Sequence, residues 1–305
     1  MHPVSTGKAI QNIHQKTTLK DQLFNNLDIS EATKKDYQAR IGLFHTFIQE
    51  NPLNRNSFVQ FKNWLKQRPD LSISSKQKYL IVAKVLLKEA YRLGHITVNI
   101  TEGVKGFKQN KKHRREGLTD SEISLLMEQF QNMESTPSND RIKALFSLLI
   151  YQGLRLVEVH RLNVSDLELP KKKAYIYGKA RDDKELIHLH PIIIKVLRVY
   201  LKSNKLKDGA LFRSVSNNAK NKRLSIRAMQ YLIDEVFANL HIQKSGHCIR
   251  HWYVSRLVKH YKGDLMKVIG YTRHRSLEML LVYHNAITEE EDLPNYYEAF
   301  KKIQI

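Results

Sequence analysis

One cysteine, Cys248, occurs in 305 residues, which excludes an internal disulfide and any thiolate metal cluster. No apolar run reaches the roughly 18 residues needed to span a bilayer. The opening Met1-His2-Pro3-Val4-Ser5 lacks the charged-then-apolar pattern of a secretion signal. These absences predict a cytoplasmic protein with no membrane partner. Acidic residues are scarce as well: 30 Asp and Glu face 51 Lys and Arg, a formal charge of +21 with a pI near 9.8. A field of that sign attracts polyanions. The aromatic stacking motifs of RNA modules are not seen, which weakens an RNA-binding reading. Among the fourteen histidines, His188 and His190 form a close pair on an extended segment without a third ligand nearby. Neither a metal nor a cofactor is expected. Internal repeats and low-complexity tracts are also lacking.

What is present reads as mainly helical. The segment to about Thr18 is polar and aperiodic. From the capping residue Ser30, apolar Tyr37, Ile41, Phe44 and Ile48 recur at helical spacing until Asn51-Pro52. A second helix fits Phe58 to Lys66 and a third fits Ser74 to Leu93, with Gly94 as its stop. The third has an apolar stripe through Leu80, Ala83, Leu87 and Ala90, while Lys76, Lys78, Lys84, Lys88 and Arg92 crowd the rest. The run Lys105 to Glu116 is too charged for core; it reads as a linker that also follows a phosphate backbone. Thr119-Asp120-Ser121-Glu122 is a capping-box pattern that opens a new domain.

A longer apolar helix fits Asp140 to Tyr151, ended by Gly153. Ala174 to Tyr177 and Leu186 to Leu189 read as two short strands around the polar turn from Gly178 to Asp183. From Pro191 onward the pattern is again mainly helical. The expected division is a flexible N-terminus at 1–17, a helical domain at 18–106, a basic linker at 107–117, and a second domain at 118–305 with a distinct tail from about 288.

Against this background a scattered polar set stands out: Arg155, Lys179, His247, Arg250, His274 and Tyr283. Gly153-Leu154-Arg155-Leu156-Val157-Glu158 resembles the Gly-x-Arg-x-x-Glu box of tyrosine recombinases, the phage integrase family. His247-Cys248-Ile249-Arg250-His251 is similar to that family's His-x-x-Arg-His box. His274 and Tyr283 stand at the family's interval between its last histidine and its nucleophile. The resemblance covers nearly the whole chain. It implies a mainly α fold of two domains: an N-terminal helical, SAM-like core-binding domain and a C-terminal α-rich catalytic domain with a small antiparallel sheet.

The implied activity is site-specific recombination, in which DNA is cleaved and rejoined through a 3′-phosphotyrosyl link without metal or ATP. Arg155 and Arg250 suit charge that develops on non-bridging phosphate oxygens, because a guanidinium stays charged and presents a planar fork. Three residues apart, His247 and Arg250 share a helix face. The resemblance assigns Tyr283 as nucleophile and Lys179 as the hairpin acid, with Lys184 as the alternative because this turn is longer than the family's usual form. His251 either takes part or only orients its neighbours.

Many family members read Leu-Gly-His where this chain reads Thr272-Arg273-His274, so the local backbone is the least secure part of the match, and Arg273 is a candidate DNA contact. Tyr253, Tyr271, Tyr296 and Tyr297 are expected to be packing residues. Implied partners are double-stranded DNA with inverted-repeat sites and further copies of the chain. The expected assembly is a homotetramer on DNA that is a monomer or dimer when free, with the apolar C-terminal end exchanged between subunits. A cytoplasmic, nucleoid-associated protein follows. No additional N-terminal arm-binding domain is evident, which favours a simple Xer-like or transposon-type enzyme. A type IB topoisomerase-like relaxation activity and a catalytically inactive DNA-binding protein are the alternatives.

Overall fold

A computed structural model describes residues 23–108, 116–178, 183–215, 221–299 and 301. The expected flexible N-terminus, most of the basic linker and Lys179 lie outside the described residues. The chain separates into two compact units, Met1–Asn110 and Lys111–Ile305.

The first unit is helical, with α1 (Glu31–Arg40), α2 (Gly42–Glu50), α3 (Ser57–Lys66) and α4 (Ile73–Arg92). Sequence periodicity suggested one helix from Ser30 to Asn51. The structure divides it beside Gly42, a residue type that holds a helix interior poorly. Ser30 and Ser72 cap α1 and α4 by accepting the backbone N–H groups of Thr33 and Ser75. Gly94, at φ +76, turns the chain after α4.

The core of this unit is aromatic. Phe61 lies 4.9 Å from Phe44 and 5.3 Å from Phe47 between ring centroids, and Trp64 stacks on Phe61 at 5.9 Å. The apolar stripe of α4 is buried as the periodicity requires, while Lys78, Lys88 and Arg92 are exposed.

The second unit begins with α5 (Asp120–Asn132), opened by the expected capping box: Thr119 accepts from the Glu122 N–H while Glu122 accepts from the Thr119 N–H. It continues through α6 (Pro137–Gln152) and the short α7 (Leu156–Arg161). Three strands follow, β1 (Leu167–Glu168), β2 (Lys173–Tyr177) and β3 (Lys184–His188), in an antiparallel sheet of order β1-β2-β3. Helices α8 (Pro191–Ser203), α9 (Ile226–Asn239), α10 (His247–His260), α11 (Leu265–Thr272) and α12 (Glu278–Ala299) complete it.

The hairpin differs from the sequence reading at β3, which begins at Lys184 and pairs Tyr177 with Lys184. Lys184 Nζ donates to the buried Asp166, and this contact extends the strand beyond its apolar residues. The two-residue β1 is too short to leave a periodic signal. His188 ends β3, whereas His190 caps α8 through Nδ1 and stacks on Tyr151 at 5.2 Å. Among the described residues, no group of three or more His, Cys, Asp or Glu is placed to hold a metal ion, and no helix is long and apolar enough to cross a membrane.

Contacts distant in sequence fix α10, the helix that carries the His-x-x-Arg-His box. Lys244 donates to the Gly117 carbonyl and to Glu122 at 3.0 and 2.8 Å, and Trp252 Nε1 donates to Asp120 at 2.8 Å. The mainly α architecture with a small antiparallel sheet matches the fold class expected from the sequence.

Phe61→Ala would open a cavity among three rings, those of Phe44, Phe47 and Trp64, and is expected to cost about 3–5 kcal/mol. Trp64 and Trp252 are the two tryptophans, one in each unit. In a Trp252→Phe background, Trp64 fluorescence therefore reads the first unit, and its denaturation midpoint should fall by the corresponding amount.

Candidate active site

The candidate residues enter from four places. Arg155 is the N-cap of α7, His247 and Arg250 occupy the first turn of α10, His274 follows α11, and Tyr283 lies on α12. Arg155, His247 and Arg250 line one cleft, with Gln230 and Asp234 of α9 on its wall. Exposed His247 and buried Arg250 share the α10 face as their spacing requires.

Arg250 organises the pocket. Its guanidinium is buried and donates to the carbonyl oxygens of Gly153 and Thr272, the latter at 2.6 Å. Both carbonyls lie at helix C-termini, where unpaired C=O groups concentrate negative partial charge. Burial, and then the nearby Arg155 and Arg273, push its pKa down to about 10, which still leaves it charged at neutral pH.

Two left-handed residues make this possible. Gly153 ends α6 at φ +56, and a Cβ there would meet the Tyr253 ring at 2.1 Å. Arg273 ends α11 at φ +55, a conformation that costs a non-glycine residue about 1–2 kcal/mol. The family's usual glycine would adopt it freely. The backbone nonetheless turns as that motif requires.

Arg273 is not a solvent-facing DNA contact, as the sequence reading allowed. Its side chain is only 5 % exposed and its Nη2 donates to Glu158 Oε2 at 3.1 Å. Glu158, fully buried, also accepts from Arg155 through Nη1 and the backbone N–H, each at 2.9 Å. Burial alone would raise the Glu158 carboxyl, but Arg273 and Arg155 hold it below its ordinary value. The Glu158–Arg155 pair is thus internal on the Glu158 side and shared by a second arginine.

Tyr283 is half-buried, and its hydroxyl meets His251 Nδ1 at 2.7 Å. The His251 ring lies edge-on to His247 at 4.6 Å. Among its apolar neighbours in sequence, Leu280 is buried, whereas Leu277 and Leu281 are exposed. Burial raises the Tyr283 phenol, while Arg250 and Arg155 pull it down. His274 lies 6.2 Å from Tyr283 between ring centroids, and its Nδ1 meets Thr272 Oγ1 at 2.8 Å. Thr272 thus holds Arg250 through its carbonyl and His274 through its hydroxyl, a role that no local motif signals. Burial, followed by Arg250, Arg155 and Arg273, lowers His274 to about 3.

Lys179 lies outside the described residues. The alternative, Lys184, is paired with Asp166 and sits 5.2 Å over the Tyr177 ring. Tyr253 packs against Gly153; Tyr271, Tyr296 and Tyr297 are exposed, although Tyr271 stacks on Tyr261 at 5.8 Å between ring centroids.

Residues 116–290, more than half of the chain, match the phage integrase family. The chain belongs to the phage integrase family. It is a DNA strand-breaking and rejoining enzyme of the tyrosine recombinase type. It is similar to the tyrosine recombinase XerC of Mannheimia succiniciproducens, at 25% identity over 86% of this chain and 88% of that protein. A tyrosine recombinase of Thermosipho africanus is 26% identical over 90% of this chain and 94% of its own. Two solved structures share the fold at 16% identity. One is the XerH site-specific recombinase bound to a palindromic difH substrate in a post-cleavage complex, with a TM-score of 0.70 over 94% of this chain and 87% of that one. The other is a lambda integrase dimer bound to a core site, with a TM-score of 0.64 over 90% and 94%.

The depressed His274 value has a consequence for stability. The unfolded histidine titrates near its ordinary 6.5, whereas the folded one stays neutral to about 3. Unfolding therefore takes up a proton in this window, and the stability present above pH 6.5 is lost progressively as pH falls toward 3. With allowance for partial exposure, acidification from pH 7 to pH 5 is expected to cost about 1–2 kcal/mol through this residue. Denaturant titrations at the two pH values should show the difference shrinking by that amount in His274→Asn.

Proposed function

We propose that this phage integrase family member is a site-specific DNA recombinase whose nucleophile is Tyr283. The observation that carries the reading is the convergence of the Tyr283 hydroxyl with two arginines and three histidines delivered by separate elements of one unit. In the step we assign, Tyr283 Oη attacks the scissile phosphorus, the Oη–P bond forms and the P–O5′ bond breaks. His251 Nδ1, in the tautomer that leaves it unprotonated, accepts the phenol proton. The leaving 5′ oxygen takes its proton from Lys179, a role favoured over Lys184 because the latter is engaged by Asp166.

Arg155 and Arg250 bear the charge that develops on the non-bridging oxygens, and His247 and His274 donate beside them. His274 suits a neutral hydrogen-bond donor through Nε2, since an imidazolium among these guanidiniums is disfavoured. The 3′-phosphotyrosyl link conserves the bond energy, so a 5′ hydroxyl reverses the step without ATP or metal.

The domains proposed are a helical core-binding domain at 18–106, a basic linker at 107–117 and a catalytic domain at 118–305. The partner is duplex DNA with inverted-repeat sites, in keeping with the charge of +21. Four copies act together on DNA in a cytoplasmic, nucleoid-associated enzyme. Beyond Tyr283, α12 runs on through Pro294 to Ala299 and exposes Leu293, Tyr296 and Tyr297. That apolar end suits exchange with a neighbouring subunit, the role proposed for the tail from about 288.

A nicked duplex that traps the cleaved strand tests the chemistry. The parent should form a covalent protein–DNA adduct and Tyr283→Phe none, while Arg155→Ala and Arg250→Ala should slow it by about 10²–10³-fold. An adduct that persists in Tyr283→Phe would overturn the assignment, and plasmid relaxation without recombinant product would overturn the recombinase reading. With about 6–10 phosphate contacts, affinity should fall by roughly 10³–10⁵ between 50 and 200 mM salt.

A further inference from the structure

The turn after α11 reaches three of the groups assigned to the phosphate. Thr272 contributes its carbonyl to Arg250 and its hydroxyl to His274, and the next side chain, Arg273, enters the interior to meet Glu158. Glu158 divides its carboxylate: Oε1 accepts from Arg155 Nη1, and Oε2 accepts from both the Arg155 N–H and Arg273 Nη2. Arg273 has accepted a left-handed backbone and burial to reach this place, and its Nε is buried without a hydrogen-bond partner. Neither cost is explained by local folding, since glycine would make the same turn with neither.

We propose that Arg273 is a positioning residue for strand cleavage, one that keeps the positive charge of Arg155 available to the scissile phosphate. This rests on the site reading above. A lone Arg155–Glu158 pair is neutral, so the buried carboxylate would offset much of the guanidinium's pull on an incoming phosphodiester. With Arg273 on the other side, the three groups carry one net positive charge, and Glu158 fixes the Arg155 fork without cancelling it. The same contact ties the loop before α7 to the end of α11, so Arg155, Arg250 and His274 hold one mutual geometry.

The test follows single-turnover adduct formation on the nicked duplex, with DNA affinity and thermal unfolding measured alongside. Arg273→Gly suits the left-handed turn and should stay folded, bind DNA within about threefold of the parent, and cleave at least about tenfold more slowly. Arg273→Lys, which keeps the charge, should stay within about threefold of the parent rate. Adding Glu158→Gln to Arg273→Gly removes the unbalanced carboxylate while leaving an acceptor for Arg155, and should recover a large part of the lost rate.

A purely structural role would give additive losses. Parent-like cleavage by Arg273→Gly, an equal loss in Arg273→Lys, or a further loss on adding Glu158→Gln would each overturn the proposal. Failure of the parent itself to form an adduct, or an adduct in Tyr283→Phe, would instead overturn the site reading beneath it.

Discussion

A guanidinium taken out of water must recover its hydration elsewhere, and in this protein Arg250 does so at the C-terminal ends of two helices. Stripping a cation of solvent costs several kcal/mol unless oriented partners replace the water. The carbonyl ends of α6 and α11 are such partners, since their C=O groups have no helical N–H left to accept. The site depends on that arrangement. To aim Gly153 and Thr272 at one guanidinium, both helices must stop in register, and each stops on a left-handed residue, Gly153 in one case and Arg273 in the other. Helix termination, more than core packing, therefore sets where the positive charge sits.

The charges around Arg250 then follow a consistent logic. Three guanidiniums gather about one buried carboxylate, and the imidazole among them, His274, is held neutral. Burial raises the Tyr283 phenol against the pull of Arg250 and Arg155, which favours its protonated form. In the proposed step a bound phosphodiester brings the anion that the arginines lack, and His251 already contacts the hydroxyl that would lose its proton. Groups that would be costly in an ordinary interior are reconciled through a charge the substrate supplies.

Much of this was legible in the residue order. Strong caps such as Ser30 and Thr119 with Glu122, and the aromatic and aliphatic stripes of α2, α3 and α4, declare their helices locally. The boxes around Arg155 and Arg250 declare themselves because chemistry fixes residue types at short spacing. What stayed hidden depends on contacts distant in sequence. Thr272 has no motif, since its role arises only when α11 ends against α10. Arg273 looked like a surface residue because nothing near it shows Glu158, 115 positions away. The extension of β3 to Lys184 likewise reflects Asp166, eighteen residues earlier. The tyrosines at 271, 296 and 297 are more exposed than expected for a simpler reason: an aromatic residue on a helix does not state which face is covered.

The central claim is that one phenol, placed against an arginine pair and a histidine, becomes joined to DNA. Digesting the trapped adduct with protease and nuclease and sequencing the modified peptide by mass spectrometry tests it most directly. The account requires a 3′-linked nucleotide remnant on Tyr283 and a free 5′ hydroxyl on the released strand. A remnant on any other residue, or a 5′-phosphoryl linkage to the protein, would contradict it.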